Sequence, residues 1–494
     1  GITRTNMFGA NYSDQFFKKL DVNASYYLND TRNENANRSR VVNLLPDGDF
    51  ITESESNRTS DNLNHNANFN LEYKINPTTR IFVEPKISSS KNIIDSNSSS
   101  VSMDENGDLF NTNNVVGHSE TETFNFTNSI QFNKKLNEKG QNLSVSFDNA
   151  NSNTSGFGRT NSETIFYQGT QSDDIRNQKN DTRSTNDNYT LSATYTQPVA
   201  KNIELNLGYT FNYSSDTDVL KTYNFDPLTN DFSQISDLYS SSTKNKSNAS
   251  TPFIGVAYDT KKLFFDFRSG VQINDFQANA MYLNTDYRVD RKFVSPNVST
   301  SLRFKFTDSK TLNFRYNYSV SNPTASQILP YERFNDPLNT FIGNADLDQT
   351  KNHSANLSFR DYNFQLRTGW TVGLSGNFYD SQIVSTTVFD ENRKRTTTYQ
   401  NVSGAYSLGL YGNYNKSKKF DAHTFRYGIG FRANYGLSKG FTNNELYENN
   451  VLTLTPRIYG TWDYGEFLTI APSYSLEYNN NTYSNLALDK TEYV

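Results

Sequence analysis

The sequence predicts an all-β protein, a large antiparallel transmembrane β-barrel of about 18 strands with short periplasmic turns and long extracellular loops. Three observations predict it. Polar and apolar residues alternate over stretches of about ten to twelve residues from end to end, and short and long connections alternate between these stretches. The third is a low hydrophobic content of 34% combined with 32 tyrosines and 36 phenylalanines. A strand of roughly 9–11 tilted residues crosses a bilayer, whereas soluble strands are usually about 5–6 residues long.

The clearest alternating segment covers residues 203–213. Its apolar positions are Ile203, Leu205, Leu207, Tyr209, Phe211 and Tyr213, and the residues between them are polar or glycine. Successive side chains of a strand point to opposite faces, so this segment has one apolar and one wet face. A chain that needs only one apolar face per strand can have a mean hydropathy of −0.76 and still fold.

The same pattern predicts paired strands along the chain. In order, the predicted hairpins join 67–75 to 81–87, 124–132 to 143–147, 189–195 to 203–213, 254–258 to 263–273, 298–306 to 312–318, 406–414 to 425–435, and 452–462 to 468–478. The short turns carry lysines such as Lys261 and Lys262, with aromatic residues beside them. Aromatic girdles mark the membrane interfaces of outer-membrane barrels.

Long polar stretches rich in Asn, Ser, Thr and Asp separate these hairpins. Examples are residues 29–62, 88–121, 150–186 and 214–248. Tight turns at one end and long connections at the other are typical of bacterial outer-membrane barrels. We therefore expect these stretches to be extracellular loops of a protein in the bacterial outer membrane.

A soluble barrel of this size fails on geometry. About eight strands already leave an interior just filled by side chains, so eighteen strands with inward apolar faces would enclose a void. The apolar face must then point outward to lipid while Asn, Ser, Lys and Arg line a wet lumen. Stacked sandwiches or a solenoid escape this reasoning, although no fixed-period repeat supports a solenoid.

Composition excludes several classes of function. The net charge of −5 gives no reason to expect nucleic acid as a partner, and the absence of cysteine rules out disulfides and thiolate metal sites. The four histidines match no catalytic or metal-binding spacing. Two acidic clusters, 47–49 and 104–108, could supply oxygen ligands to calcium but suit solvated turns better. We expect no enzyme activity, no cofactor and no metal.

Both ends of the pattern fall on the long-loop side. We therefore expect residues 1–494 to be a single barrel domain that is incomplete at both ends, with its 18 strands belonging to a barrel of 22. Four prolines, Pro85, Pro296, Pro456 and Pro472, interrupt predicted strands. Because proline cannot donate to a strand ladder, each should mark a bulge or a strand end.

One segment adds a family signature. The motif residues are Pro323, Gln327, Pro330, Asp336, Pro337, Gly343, Asn344 and Leu347, with Ile328 in the usual Leu place. This stretch resembles the "P-x-x-x-Q-L-x-P … D-P-L … G-N-x-x-L" loop in the barrel region of TonB-dependent receptors and their outer-membrane β-barrel relatives. A structural interpretation is a loop that folds back over the rim, with Pro and Gly fixing its turns.

The resemblance implies a 22-stranded barrel plugged by an N-terminal domain. Such a protein takes up scarce nutrients, driven by an inner-membrane energy-coupling complex. No plug or coupling box is recognisable in this sequence. Two functions therefore remain open: nutrient uptake, or a receptor-like barrel acting as a structural or assembly subunit of a secretion or barrel-insertion complex. The expected partners are outer-membrane lipid and either a TonB-type complex or other envelope proteins. A third hypothesis is that the protein is a soluble adhesin.

The predicted lumen carries a candidate basic strip. Its members are Arg303, Lys305, Arg315, Arg426 and Arg432, which share the inward phase. A basic strip in a wet channel would favour anionic solutes or an acidic plug surface. Alternatively, these side chains solvate the lumen or pair with acids such as Glu72 and Glu204.

Overall fold

The computed structural model describes residues 1–43, 49–168, 172–336, 338–391, 393–442 and 445–484, with side chains omitted at 334–336. Its 25 described strands are β1 (Ile2–Phe16), β2 (Leu20–Asn43), β3 (Phe50–Asn76), β4 (Thr79–Val83), β5 (Lys86–Asp104), β6 (Leu109–Lys135), β7 (Asn142–Phe166), β8 (Asp174–Ala200), β9 (Ile203–Asp226), β10 (Asp231–Ile235), β11 (Ser241–Asp259), β12 (Leu263–Tyr282), β13 (Thr285–Lys305), β14 (Lys310–Ser321), β15 (Glu332–Asp336), β16 (Asn339–Ile342), β17 (Thr350–Asn363), β18 (Thr368–Phe389), β19 (Arg395–Val402), β20 (Tyr406–Phe420), β21 (His423–Thr442), β22 (Glu445–Tyr464), β23 (Leu468–Ile470), β24 (Ser473–Ser475) and β25 (Tyr478–Ser484). The described helices are a 3₁₀ turn, Asp237–Tyr239, and α1, Ala325–Ile328. None of the described helices is long and apolar enough to cross a membrane.

Eighteen long strands form one antiparallel wall. This count takes β4 with β5, and β23 with β24 and β25, as single interrupted strands, and leaves out the short β10, β15, β16 and β19. Each long strand pairs with its neighbours in chain order, and the predicted hairpins are confirmed. Within the described residues, β1 pairs with β2 alone, and β23–β25 pair with β22 alone.

The strand register assembles one continuous apolar belt. Residues directly opposite each other in antiparallel strands share a face. Successive opposite residues include Phe132 and Val145, Phe147 and Leu191, Leu207 and Ile254, Phe314 and Leu357, Leu374 and Leu410, and Ile429 and Ile458. Many of these side chains are strongly exposed, for example Leu191 at 47%, Leu374 at 49% and Ile458 at 61%. Such a band of exposed apolar side chains is the lipid-facing surface of a membrane barrel.

The wall is much taller on one side. In the tall half, β2–β9, the strands β2, β3, β6, β7, β8 and β9 have 24–27 residues, whereas the long strands of the low half, β13–β22, have 12–22. Crossing the bilayer takes only about 9–11 residues, so more than half of each tall strand stands outside the membrane. The polar stretches predicted as long extracellular loops are thus mostly β-strand. Outside lipid a strand needs no apolar face, so the alternating pattern is lost although the strand continues.

The four strand prolines behave in two ways. Pro85 and Pro472 each interrupt a strand, between β4 and β5 and between β23 and β24, as predicted. For Pro296 and Pro456 the prediction is wrong, since both lie within continuous strands. Both prolines lie where the strand is paired on one side only. Pro296 lies beyond Val298, where the β13–β14 ladder ends, and Pro456 lies between the segments of β22 that pair with β24 and β25. A missing N–H costs least at such a position.

The buried core lies on the face opposite the belt. Phe276, Ala278, Ala280 and Tyr282 of β12 pack against α1 and the segment after it, including Ile328, which is fully buried. These β12 residues alternate with belt residues such as Val271 and Ile273 on the same strand. The connection between β14 and β17 therefore folds into the barrel and narrows its mouth.

Candidate functional site: the lumen and its mouth

The inner wall formed by β3 and β5–β8 is almost free of charge away from its periplasmic end. The inward positions within 52–70, 88–102, 113–125, 150–164 and 178–192 hold Asn, Gln, Ser, Thr, Gly and Ala with Ile94 and Val115, and Arg58 is the one charged residue within these described ranges. Their amides and hydroxyls bond across strands, as between Asn125 and Ser88 at 3.1 Å. This surface offers hydrogen bonds to a solute without a fixed charge.

The outward face of the same strands, beyond the belt, carries the charges instead. Cross-strand ion pairs join Arg32 to Asp61 (3.4 Å), Arg38 to Glu55 (3.1 Å), Lys91 to Glu120 (3.3 Å) and His118 to Asp95 (2.7 Å). The hydrogen bond that the His118 ring donates to the Asp95 carboxylate raises the pKa of His118 above its ordinary value. His118 lies six residues beyond Phe124 of the belt, on the extracellular part of the strand.

All five residues of the predicted basic strip alternate with belt residues along their strands and therefore face the lumen. They do not form one strip, because they lie in two separate groups. Arg303, Lys305 and Arg315 lie on the adjacent strands β13 and β14, and Arg426 and Arg432 lie on β21, four strands further along the wall. The guanidinium carbon of Arg303 is 5.6 Å from the centre of the Phe264 ring, and all five residues are exposed.

Some lumenal charges are already paired. Arg426 Nη2 is 2.6 Å from Asp463 Oδ2, and Arg80 Nη1 is 3.3 Å from Glu72 Oε1. Arg426 of the strip is therefore paired, with Asp463, whereas Glu72 pairs with Arg80, which is not a strip residue. Two further exposed arginines, Arg360 and Arg457, share the lumenal face. The parity of their strands would have revealed them from sequence.

The motif residues build the in-folded connection rather than a solvent-exposed loop. The Thr324 N–H donates to Gln327 Oε1 (2.9 Å), and the Asn344 N–H donates to the Gln327 carbonyl (2.7 Å). A Cβ at Gly343 would collide with the backbone of Leu329, so only glycine fits there. Pro323 and Leu347 are buried, whereas Pro330 is exposed. Asp336 ends β15 and pairs with Asn339, and Pro337 lies outside the described residues.

A buried polar network holds this connection against the wall. Ser295 Oγ donates to Gln349 Oε1 (2.7 Å), and Gln349 Nε2 donates to Asn322 Oδ1 (2.7 Å). Asn274 Nδ2 also donates to Asn322 Oδ1 (3.0 Å). Buried and fully paired networks of this kind specify one arrangement of the chain. Both ends of the connection are thereby tied to β12 and β13.

Tyrosines add a second attachment. Tyr331 lies with its ring centre 5.1 Å from those of both Tyr282 and Tyr287. Tyr282 Oη donates to the Leu238 carbonyl (2.9 Å), which connects the 3₁₀ turn to the same cluster. Burial raises the pKa of the Tyr282 hydroxyl to about 12.

The acidic turn at 104–108 closes on itself. Asp104 Oδ1 accepts backbone N–H groups from Asn106 and Asp108, both at 2.8 Å, and these bonds hold the pKa of its carboxyl below the usual range. The described part of the chain contains no group of three His, Asp or Glu side chains able to hold a metal. Of the other acidic cluster, Asp47 and Gly48 lie outside the described residues.

Sequence comparison decides the family. A model of the outer membrane protein beta-barrel family matches residues 134–451, almost two thirds of the chain. The chain belongs to this family. The predicted localisation in the bacterial outer membrane and the predicted fold class are confirmed. No curated protein matches the chain.

Solved structures similar to this barrel include several outer-membrane receptors. The siderophore receptor PirA from Pseudomonas aeruginosa is 12% identical, with 96% of this chain and 76% of that chain covered and a TM-score of 0.41. The alcaligin outer-membrane receptor FauA from Bordetella pertussis is 10% identical, with 96% and 75% covered and a TM-score of 0.40. BauA, the ferric preacinetobactin receptor from Acinetobacter baumannii, is 8% identical, with 96% and 78% covered and a TM-score of 0.44.

Proposed function

We propose that this barrel is the wall of a nutrient-uptake receptor in the outer membrane. The observation that carries this proposal is the lumen itself: on β3 and β5–β8 a polar inner wall continues from the mouth to the periplasmic turns, behind an apolar belt that faces lipid. The resemblance of the 323–347 connection to TonB-dependent receptors supports active uptake, with an energy-coupling complex as the periplasmic partner.

Energised uptake tests this proposal directly. Cells carrying or lacking the gene are supplied with labelled ferric chelates, oligosaccharides and peptides, with and without a protonophore. We expect uptake of one class that depends on both the gene and the proton-motive force. If no class is taken up and stable envelope partners co-purify with the barrel in mild detergent, the protein is an assembly subunit instead.

We further propose that the basic groups on the low half bias the lumen toward anions. Positive charges that line an aqueous path raise the local concentration of anions. The double variant Arg303→Ser/Arg315→Ser should lower the anion-to-cation permeability ratio about twofold or more in planar bilayers at low salt, where screening is weak. The exposed outward residue Arg38 provides the control, since Arg38→Ser should leave the ratio unchanged. An unchanged ratio in the double variant would contradict the idea.

The open edges of the wall support a larger barrel. We propose that strands beyond the eighteen described complete it between β1 and β25, because unpaired backbone groups are not tolerated in lipid. A density map of the protein in detergent or nanodiscs tests this. We expect additional strands between the two edges, and direct pairing of β1 with β25 would contradict it.

A further inference from the structure

Connections from the low half form a small sheet of their own above the lumen. β15 pairs with β16, β16 pairs in parallel with β19, and β19 pairs with residues 382–389 of β18. We call this four-stranded sheet the strap. These pairings make the strap a regular β-sheet rather than an irregular loop.

The base of the strap is firmly joined to the in-folded connection. Asn344 Nδ2 donates to the Tyr399 carbonyl (2.9 Å). Asn401 exchanges two hydrogen bonds with the backbone of Asp348, at 2.9 and 3.1 Å. Since that connection is itself tied to β12 and β13 through the Gln349 network, the base cannot move without breaking several buried bonds.

The tip of the strap reaches the opposite wall. The Arg393 guanidinium carbon is 5.1 Å from the centre of the Phe50 ring and 4.7 Å from that of Phe110. Phe389 makes an edge-to-face contact with Phe50 at 5.6 Å. Phe50 begins β3 and Phe110 lies at the start of β6, whereas the tip follows β18, nine strands further around the wall from β6.

The contact at the tip differs in kind from the one at the base. Phe50 and Phe110 are 3% and 8% exposed although they lie at the extracellular ends of their strands. Within the described residues no hydrogen-bond acceptor reaches the buried Nε of Arg393, and its guanidinium group lies against two aromatic rings. Cation–π contacts hold such a group without the directional bonds that fix the base.

We propose that the strap closes the extracellular mouth and that Arg393, held between Phe50 and Phe110, is the latch at its free end. Breaking the latch leaves the base in place and lets the tip swing away from the tall half, which widens the entrance. This inference depends on the barrel and its wet lumen and not on which nutrient is taken up.

Passive permeability tests the latch without energy coupling. The variant Arg393→Ala is compared with Arg395→Ala, which removes an exposed arginine from the same hairpin. Arg395 bonds to Leu338 through its backbone N–H, so this bond survives the loss of the side chain. In liposome swelling with neutral oligosaccharides of increasing size, we expect Arg393→Ala to admit the larger solutes several-fold faster than wild type. Arg395→Ala should match wild type. Equal rates in the two variants would overturn the proposal.

A distance measurement separates opening from misfolding. Because the chain has no cysteine, Asn57→Cys and Glu391→Cys place two nitroxide labels on exposed residues of the tall half and the strap tip. Wild type should give a narrow distance distribution by double electron–electron resonance. Arg393→Ala should broaden and lengthen it while heat-modifiable migration on a gel shows an intact barrel, and Phe50→Ala should act in the same direction. An unchanged distribution in the folded Arg393→Ala protein would refute the latch.

Discussion

The tall half and the low half of the barrel have the same kind of lipid-facing surface but differ in their lumenal surfaces and in their extracellular parts. Both turn Leu, Ile, Val, Phe and Tyr outward in the belt. Facing the lumen, β3 and β5–β8 of the tall half present mainly Asn, Ser and Thr away from the periplasmic end, whereas the low half presents Arg303, Arg315, Arg426 and Arg432. Above the membrane, the tall half extends as strand and the low half folds inward. Lipid constrains only the outward face, so the lumen and the extracellular parts are free to specialise.

The largest expected effect concerns the in-folded connection of the low half. Ile328 is fully buried against β12, so Ile328→Asp would place an unpaired carboxylate in an apolar site, at a cost of more than about 3 kcal/mol. We expect residues 323–349 to leave the wall and become sensitive to protease while the barrel persists. Thr324→Asp, on an exposed position of the same segment, should have no such effect. Protection equal to wild type in Ile328→Asp would show that the connection is held by its polar network alone.

A second pair of variants tests the rule that the two halves share. Leu191→Arg in the tall half and Leu374→Arg in the low half put a charge into lipid and should each destabilise the barrel by about 2–4 kcal/mol. The neighbouring lumenal positions, Thr190→Arg and Ser375→Arg, should cost much less. Urea unfolding in lipid vesicles measures all four. If the inward and outward arginines lower the free energy of unfolding equally in either half, the lipid-facing belt is wrongly assigned in that half.

New negative charges on the tall wall test the lumenal difference. Asn64→Asp/Asn66→Asp adds two carboxylates without changing side-chain size, on a surface that has almost no charge. Reversal potentials at low salt should show cation preference rising by about twofold, an effect below 1 kcal/mol because a wide pore is partly screened. Asn57→Asp on the outward face is the matched control. No change in the double variant would mean that ions do not pass along the tall half.

The smallest expected effect is a pH dependence confined to the tall half. The pKa of His118 is raised by its bond to Asp95, with Glu120 adding to the effect, so the charged pair stabilises the strands fully below about pH 6.5 and this contribution is lost as pH rises through the raised value. Hydrogen exchange of residues 93–97 and 116–120 should therefore quicken between pH 6 and pH 9 beyond the intrinsic pH trend. In His118→Gln that excess should vanish, and its persistence would place the cause elsewhere.

Sequence pattern predicted the hairpins well because lipid demands an apolar residue at every second position. That demand ends at the membrane surface, which is why the polar extensions of β2, β3, β6, β7 and β8 were expected as loops. The inward phase of Arg303, Arg315 and Arg432 follows from strand parity and was predictable. Their separation into two groups was not, since it depends on how many strands lie between β14 and β21.

The amino-acid sequence by itself determined the barrel class, the outward apolar face, the inward phase of the charged residues and the family signature at 323–347, because each follows from a local period or a local motif. Tertiary structure alone decided that this motif folds into the lumen, that the polar inner faces of β3 and β5–β8 join into one surface, and that Arg393 meets Phe50 and Phe110 across the mouth. Those features join residues that are distant in the sequence, and only the curvature and strand order of the wall bring them together.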